Sequence, residues 1–593
     1  MDDLTLRYYE AEMRYLREAG KEFAHAHPDR AALLNMDGIG DRDPYVERLF
    51  EGFAFLTGRL RQKLDDDLPE LTEGLMSLLW PHYLRMIPSL TIVELTPQMQ
   101  ALQHSEAVPP GLVLRSTPVG PQQTQCLYRT TQAVALLPLR LLAASAPIRN
   151  DGRSVIRLRF SLESQGRRDQ LDFSRIRLFL SADVPVASAL HLALTRHARQ
   201  IEVRAPLSAG LPAALLDAGA VRFEQVGFAT DDRLWPKADN AFGGYQLLLE
   251  YFTFRDKFMF VDLCGLDLQA LPETSSWFEL DVVLDQRYPA DMPFDASHIR
   301  LHCTPAINLF EMEAEPVRVD HTEPEYRVVP MLQEGGQVET WSVDAVQGFE
   351  HGNSSRHDYV PFASFRHRGG MLRHEAPERY YHTRVRQGAS GRFETWLVLG
   401  GHDWQARTDL PLETLSLRVT GTHGQLPRKA VRESQILAMV VGYPCVDSVK
   451  NVTAPTLPVY PPLEDRFHWR VLSHLAPNYL SLLDAEVLRG TLALYDWTDD
   501  ELNRRRLQGI LQVAQRPLTR MEQGCVLRGV EITITLDSQR FAGEGDLMLF
   551  GELLNRFFAA YADMNLYTQL VLRLQPSDQL LAWPPSKTGR PSL

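Results

Sequence analysis

The chain has 593 residues, of which 44% are apolar and 23% are charged, a composition that is ordinary for a globular protein. This length is too great for one hydrophobic core, so we expect three or four domains. Its 62 basic and 75 acidic residues give a net charge of −13, which argues against nucleic-acid binding because that requires concentrated lysine and arginine.

The cysteines and the hydropathy of the chain indicate its cellular compartment. Five dispersed cysteines without a CxxC pair argue against a zinc site or a disulfide framework and favour a reducing environment. The amino terminus lacks the apolar core of a signal peptide. The most apolar segment, 134–148, is interrupted by Pro138 and Arg140 and is too short to span a bilayer. We therefore expect a cytoplasmic protein without direct membrane insertion.

Residues 1–88 are predicted to form a helical region. A heptad-like apolar stripe follows the first helix and packs either within its own domain or against a neighbouring chain. The second alternative makes the stripe a hypothetical interface, which comprises Leu6, Tyr9, Met13, Leu16 and Phe23. A second helix begins at Asp43-Pro44 and is expected to bury one apolar face. That face comprises Val46, Leu49, Phe50, Phe53, Leu56 and Leu60.

Residues 89–285 are predicted to form a first β-rich α+β domain, because short apolar runs there are separated by proline and glycine. Residues 186–194 are expected to be helical. In 244–266 a helical spacing precedes a turn and a strand. Five aromatic residues between Tyr251 and Phe260 predict a packed core. The alternatives are a ligand cage around Lys257 and a base-stacking platform, but no basic groove accompanies the aromatics.

Residues 286–450 are predicted to form a central β-rich domain. Thr304-Pro305 indicates a turn, and alternation predicts strands at 317–319 and 326–329. Residues 335–410 are predicted to be a loop-rich insertion with strands at 395–399 and, just after it, at 414–420. Five histidines (351, 357, 367, 374 and 382) raise the possibility of a metal site, but none has HExxH spacing.

Residues 451–583 are predicted to form a carboxyl-terminal α+β domain, followed by a flexible tail at 584–593. Strands are expected at 529–537 and 566–574, and Asp546 is expected to cap a helix with a wide apolar face. The predicted fold class is therefore multidomain α+β. An amino-terminal helical region is followed by mixed or antiparallel β-rich domains with interspersed helices.

The best catalytic-looking cluster is Asp320-His321 with Glu323, which defines a hydrolase alternative. The sequence shows no positioned partner and no substrate cleft for these side chains, so structural ion pairing is favoured. Glu311, Glu313 and Glu315 alternate like the solvent face of a strand, which argues against paired-carboxylate chemistry. We expect no enzymatic activity, no metal and no cofactor.

Several long segments resemble, in the right order, a family of assembly proteins. They are 43–89 (DPYVERLFEGFAFLTGRLRQKLDDDLPELTEGLMSLLWPHYLRMIPS), 244–266 (GYQLLLEYFTFRDKFMFVDLCGL), 303–330 (CTPAINLFEMEAEPVRVDHTEPEYRVVP) and 541–565 (FAGEGDLMLFGELLNRFFAAYADMN). The chain resembles the TssF family, also called VasA or ImpG, which are baseplate subunits of bacterial type VI secretion systems.

The resemblance implies a non-enzymatic scaffold. In that family two TssF copies associate with one TssG to form a wedge, and six wedges surround the central VgrG spike. The wedge also meets TssE and TssK and supports assembly of the sheath proteins. The assembled particle lies at the cytoplasmic side of the inner membrane. Because the family is similar to wedge proteins of contractile phage tails, a subunit of such a tail or injection particle is the alternative.

Overall fold

A computed structural model describes most of the chain. The described residues are 9, 13, 14, 16, 48–57, 76, 81–102, 104–163, 171–206, 213–216, 220–235, 243–267, 275–320, 323–331, 338–351, 356–362, 379–388, 392–401, 412–462, 484–522, 525–561 and 566–587. The chain forms two compact units, one of residues 1–78 with 462–476 and one of residues 79–461 with 477–593. The elements named below belong to the second unit.

The strands among the described residues, in chain order, are β1 Leu90–Pro97, β2 Glu106–Val108, β3 Val113–Val119, β4 Thr124–Thr130, β5 Val134–Leu136, β6 Leu139–Ser145, β7 Val155–Leu162, β8 Arg175–Leu180, β9 Ala198–Pro206, β10 Ala213–Leu216, β11 Arg222–Gln225, β12 Phe260–Cys264, β13 Trp277–Leu284, β14 Ile299–Leu301, β15 Cys303–Ile307, β16 Phe310–Glu313, β17 Val317–Val319, β18 Tyr326–Val328, β19 Glu339–Glu350, β20 Arg356–Pro361, β21 Arg379–Gln387, β22 Phe393–Gly401, β23 Glu413–Thr422, β24 Ile436–Met439, β25 Val446–Asn451, β26 Ile510–Glu522, β27 Cys525–Asp537, β28 Leu566–Gln575, β29 Gln579–Ala582 and β30 Ser586–Lys587. The α-helices are α1 Val184–Thr195, α2 Gly243–Thr253, α3 Leu426–Ala430, α4 Ala485–Ala493, α5 Glu501–Gln508 and α6 Glu544–Tyr561. Strands thus outnumber helices, and the predicted α+β class with β-rich sheets is confirmed.

A six-stranded sheet in the order β24-β3-β4-β15-β1-β25 joins segments that are far apart in sequence. Its core includes Val93, Leu114, Tyr128 and Val449. The predicted turn at Thr304-Pro305 is wrong, because both residues lie inside β15, where Pro305 is opposite Ile92. Proline is tolerated there because the other neighbour, β4, pairs only with the last two residues of β15.

Two further sheets carry the predicted first β-rich region. A five-stranded sheet has the order β10-β9-β13-β7-β6, and a four-stranded sheet has the order β11-β12-β8-β14. The short strands β2 and β5 pair with each other. The helix predicted at 186–194 is confirmed as α1, and the helical spacing in 244–266 is confirmed as α2. The turn and strand predicted after α2 are confirmed as the 3-10 helix Arg255–Phe258 and β12.

An eight-stranded sheet in the order β16-β23-β19-β20-β21-β22-β18, with β17 also on β23, occupies the centre of the chain. The strands predicted at 317–319, 326–329, 395–399 and 414–420 are confirmed. The prediction that 335–410 is loop-rich is wrong for its described parts, because β19 to β22 lie there. These strands carry charged side chains that form ion pairs, such as Arg384 with Glu325 at 2.8 Å. The charges interrupt the apolar alternation by which a strand is predicted.

The carboxyl-terminal sheet has the order β26-β27-β28-β29, with β30 on β28. Helix α6 packs against β28 and β30 of this sheet. Strand β27 alternates as predicted, since Ile532, Ile534 and Leu536 are fully buried. The pair Ser586–Lys587, in the segment predicted as a flexible tail, is hydrogen-bonded to β28. The prediction that Asp546 is the N-cap of α6 is wrong. Asp546 lies in the first turn and accepts a hydrogen bond from the Ala542 backbone N–H at 3.0 Å.

Helix α6 approaches α1 closely at Gly545. A Cβ atom at this position would lie 2.6 Å from the carbonyl carbon of Ser188, which is backbone and cannot rotate away. We predict that Gly545→Ala lowers the free energy of unfolding by about 1–3 kcal/mol through overpacking. Chemical denaturation of the full chain, followed by near-ultraviolet circular dichroism, measures this change.

Gly490 in α4 is the matched control for that substitution. No atom lies within 4 Å of the Cβ that Gly490→Ala would add, so the alanine should stabilise the helix by about 0.5–1 kcal/mol. Equal effects of the two substitutions would contradict the packing argument.

No helix in the described part of the chain is both long enough and apolar enough to cross a lipid bilayer.

Candidate interaction surface

The catalytic-looking carboxylates lie on the surface. Asp320 directly follows β17 and is exposed, as is Glu323, whereas His321 lies outside the described residues. Glu311 and Glu313 alternate on β16 with half-buried Phe310 and Met312, so the predicted solvent face is confirmed. Glu315 is exposed as well. This arrangement gives these carboxylates no shielded pocket in which to act on a substrate.

The aromatic segment forms a core, as predicted. Its five aromatic side chains are buried; they are Tyr251, Phe252, Phe254, Phe258 and Phe260. The alternative of a ligand cage around Lys257 is wrong, because its ammonium is buried and paired with the Glu250 carboxylate. Glu250 also accepts hydrogen bonds from the Leu234 backbone N–H and from Gln246 Nε2, both at 3.0 Å. These contacts hold α2 against the segment that precedes it.

Three histidines of the predicted cluster are described; His382 is half-buried on β21, and His351 and His357 contact side chains of β23. His351 Nε2 lies 2.8 Å from Thr414 Oγ1, and His357 Nε2 lies 2.8 Å from Glu413 Oε2. Burial and the hydrogen bond to Glu413 raise the pKa of the Tyr359 phenol. His367 and His374 lie outside the described residues. Within the part of the chain that is described, no three His, Cys, Asp or Glu side chains are grouped as metal ligands.

Many arginines pair with carboxylates of the same chain. On the five-stranded sheet, Arg157 Nε donates to the buried carboxylate of Asp281 at 2.7 Å, and Arg159 Nε donates to Glu279 at 2.7 Å. Each pair consists of directly opposite residues on β7 and β13. Cross-strand pairs of opposite charge stabilise a sheet. These arginines therefore stabilise the sheet of their own chain.

A second arginine cluster surrounds Asp546 in the interior. Arg506 Nε donates to both oxygens of the Asp546 carboxylate at 3.0 and 3.1 Å, and Arg255 Nη2 donates at 2.6 Å. Arg506 Nη1 donates to Asn503 Oδ1 at 2.8 Å. Both Arg506 and Asp546 are buried. The cluster ties α5 and α6 to the turn that follows α2.

The helical segment 48–57 exposes apolar side chains, contrary to prediction. Leu49, Phe53 and Leu56 are 70%, 61% and 62% exposed, whereas Ala54 is completely buried. The three exposed residues have i, i+4, i+7 spacing and so share one face of the helix. The periodicity identified an apolar face, and in the described part of the chain three side chains of that face are exposed. Clusters of exposed apolar side chains mark interaction sites.

The five residues of the hypothetical interface on the first helix are partly described. Met13 is buried, and Tyr9 and Leu16 are half-buried, whereas Leu6 and Phe23 lie outside the described residues. Half-buried positions at this spacing leave part of the stripe accessible. Its role in contacts with another chain stays a prediction.

One exposed apolar surface was not predictable from the sequence; it lies at the end of the β26–β27 hairpin. Met521 on β26 and Val526 on β27 are directly opposite each other and are 74% and 62% exposed. The alternation in β27 was recognised, but the matching strand β26 was not predicted because Arg516, Pro517 and Arg520 dilute its apolar pattern.

Comparison with known proteins identifies the family. The sequence matches the profile of the family described as "Type VI secretion system, TssF" over residues 1–590. The chain belongs to the TssF family. The predicted family membership is thus confirmed across almost the whole chain.

Individual relatives are similar over their full length. The type VI secretion system component TssF1 of Pseudomonas aeruginosa is 32% identical over 645 aligned positions that span all of both chains. A chain of the TssK-TssF-TssG baseplate subcomplex, determined by cryo-electron microscopy, is 51% identical with a TM-score of 0.78, covering 92% of this chain and 99% of that one. A chain of the type VI secretion system baseplate complex is 49% identical with a TM-score of 0.64, covering 99% and 100%.

Proposed function

We propose that this TssF-family chain is a structural subunit of a type VI secretion baseplate that assembles with TssG and TssK. The similarity to a chain of the TssK-TssF-TssG subcomplex, at 51% identity over nearly the full length, carries this proposal. A second chain, from the baseplate complex, supports it at 49% identity.

We extend the proposal to the stoichiometry and the wider assembly. Two copies of this chain and one TssG form a wedge, and six wedges surround the VgrG spike. The wedge also contacts TssE and the sheath proteins at the cytoplasmic side of the inner membrane. These statements follow from the family resemblance of the long sequence segments.

We also propose that the chain acts without catalysis. Asp320, Glu311 and Glu313 are exposed, which supports this proposal. A general base or a catalytic carboxylate pair needs a shielded substrate site. His321→Ala tests the hydrolase alternative. An enzyme would lose activity while its assembly stays intact, whereas a scaffold keeps its assembly or loses stability.

The amino-terminal unit supplies a surface for assembly. We propose that the exposed face of Leu49, Phe53 and Leu56 packs against a helix of TssG or of the second copy. We propose that the first-helix stripe (Leu6, Tyr9, Met13, Leu16 and Phe23) is a second contact, which its half-buried Tyr9 and Leu16 would make. Packing of apolar helical ridges against a partner helix removes both faces from water and favours association.

Native mass spectrometry tests the proposal. The full chain, co-expressed with TssG of the same bacterium, should form a stable two-to-one complex. Leu49→Asp combined with Phe53→Asp should weaken this complex by about 100-fold or more, because the partner contact would then bury unpaired carboxylates. Circular dichroism checks that the variant stays folded, which is expected because both side chains are exposed.

Leu142→Asp is the control for that experiment, since Leu142 is also exposed but lies on β6 in the other unit. It should leave the complex unchanged. A wild-type chain that remains a monomer beside TssG would contradict the proposed function. Full assembly of the double variant would contradict only the assignment of the surface.

A further inference from the structure

The outer end of the β26–β27 hairpin projects beyond the sheet that supports it. Strand β28 pairs with β27 only from Arg528 onward, whereas β26 and β27 continue to pair as far as Glu522 and Cys525. About three residues of each strand therefore extend past the third strand, or roughly 10 Å. Strand β26 is also the edge strand of the sheet.

One face of this projecting end continues the buried face of the sheet. Successive even-numbered residues of β27 point to the same side. Ile532 and Ile534 are buried on that side, where Gly551 of α6 lies against Leu572 of β28. Further along, Val530 is half-buried and Val526 is exposed. The same apolar face thus passes from under α6 into solvent.

The opposite strand contributes matching side chains. The register places Met521 opposite Val526, Thr519 opposite Arg528 and Pro517 opposite Val530. Met521 and Val526 are among the most exposed large apolar side chains of the described residues. Of the side chains that the register places on this face, from residues 513–521 and 526–534, Arg528 is the one that carries a charge.

We propose that this hairpin end, formed by Met521, Val526 and Arg528, docks an amphipathic segment of another baseplate protein. The segment presents apolar side chains to Met521 and Val526 and a carboxylate to Arg528. This segment would cover the projecting end of the face, as α6 covers the rest of it. A carboxylate is the complement of an exposed arginine on an otherwise uncharged face. This inference rests on the proposed role of the chain as an assembly subunit.

Binding measurements on the full chain test the inference. Met521→Glu combined with Val526→Glu should weaken its complex with co-expressed TssG and TssK of the same bacterium by about 100-fold or more. Arg528→Glu alone should weaken it by about 10-fold and reduce its sensitivity to salt. Leu580→Glu is the matched control, because Leu580 on β29 is 62% exposed, as Val526 is, and should leave affinity unchanged.

The outcomes separate the inference from the proposed function. If the wild-type chain binds neither TssG nor TssK, the proposed function fails and the inference fails with it. If the wild-type chain and the double glutamate variant bind equally well, only the inference fails. Sedimentation velocity of the chain alone adds a further outcome. A dimer that the double variant abolishes would overturn the assignment to another protein in favour of a second copy.

Discussion

Asp546→Asn is expected to lower the free energy of unfolding of the full chain by about 3–5 kcal/mol. The Asp546 carboxylate is buried and is the shared partner of Arg506 and Arg255. Neutralising it removes the carboxylate that pairs with the buried Arg506 and with the partly buried Arg255. Removal of one member of a buried ionic cluster costs far more than the net value of the cluster, because the remaining charges cannot return to water. Denaturant unfolding of the full chain measures the loss.

Asp499→Asn is the control for this prediction. The Asp499 carboxylate is 83% exposed and pairs with Arg504, so its neutralisation should change stability by less than about 0.5 kcal/mol. If the two substitutions lowered the free energy of unfolding equally, the burial of Asp546 would not determine how much its ion pairs stabilise the fold.

Acidification is expected to destabilise the protein through three buried histidines. Burial lowers the pKa of His191, His302 and His423 to about 4 each, and the nearby Arg255 and Arg196 contribute at His191. In the unfolded chain these histidines bind protons near pH 6.5, whereas in the folded chain they stay neutral down to about pH 4. Their contribution to the free energy of unfolding is therefore fully present above pH 6.5 and is lost as the pH falls toward 4. Each histidine should cost about 2 kcal/mol between pH 7 and pH 5.

The variant His302→Asn isolates one of these contributions. His302 Nε2 accepts a hydrogen bond from the Leu137 backbone N–H at 3.2 Å, and its backbone φ of 55° suits asparagine. The fall in unfolding free energy between pH 7 and pH 5 should be about 2 kcal/mol smaller in the variant than in the wild-type chain. An unchanged fall would exclude His302 from the pH dependence, whatever the absolute stability of the variant at pH 7.

Strands and helices with a regular apolar period were predictable from the sequence. Most residues that the periods of strand β27 and helix α6 indicated are buried, among them Ile532 and Ile534 on β27 and Phe550 on α6. The strands β19 to β22 were not predictable in the same way. On β21, Arg384 and Arg386 pair with Glu325, so charged side chains occupy positions at which the pattern requires apolar ones.

The extent of the interaction surface was harder to predict than the elements that carry it. Periodicity identifies an apolar face, but it does not say whether that face is covered by the same chain. Leu49 and Phe53 have the spacing of buried residues and are exposed. Ionic partners were equally hidden, because Arg157 and Asp281 are 124 residues apart in sequence and no local pattern joins them.

The six-stranded sheet has a consequence for the synthesis of the protein on the ribosome. Its strand β1 pairs with β25, and the Leu90 backbone N–H donates to Thr456 Oγ1 across 366 residues of sequence. At about 5–20 residues per second, β25 leaves the ribosome roughly 20–70 s after β1. Until β15 emerges β1 lacks both of its neighbours, and until β25 emerges it presents an open backbone edge to other nascent chains. Chaperone binding to this strand during translation should therefore govern the yield of folded protein.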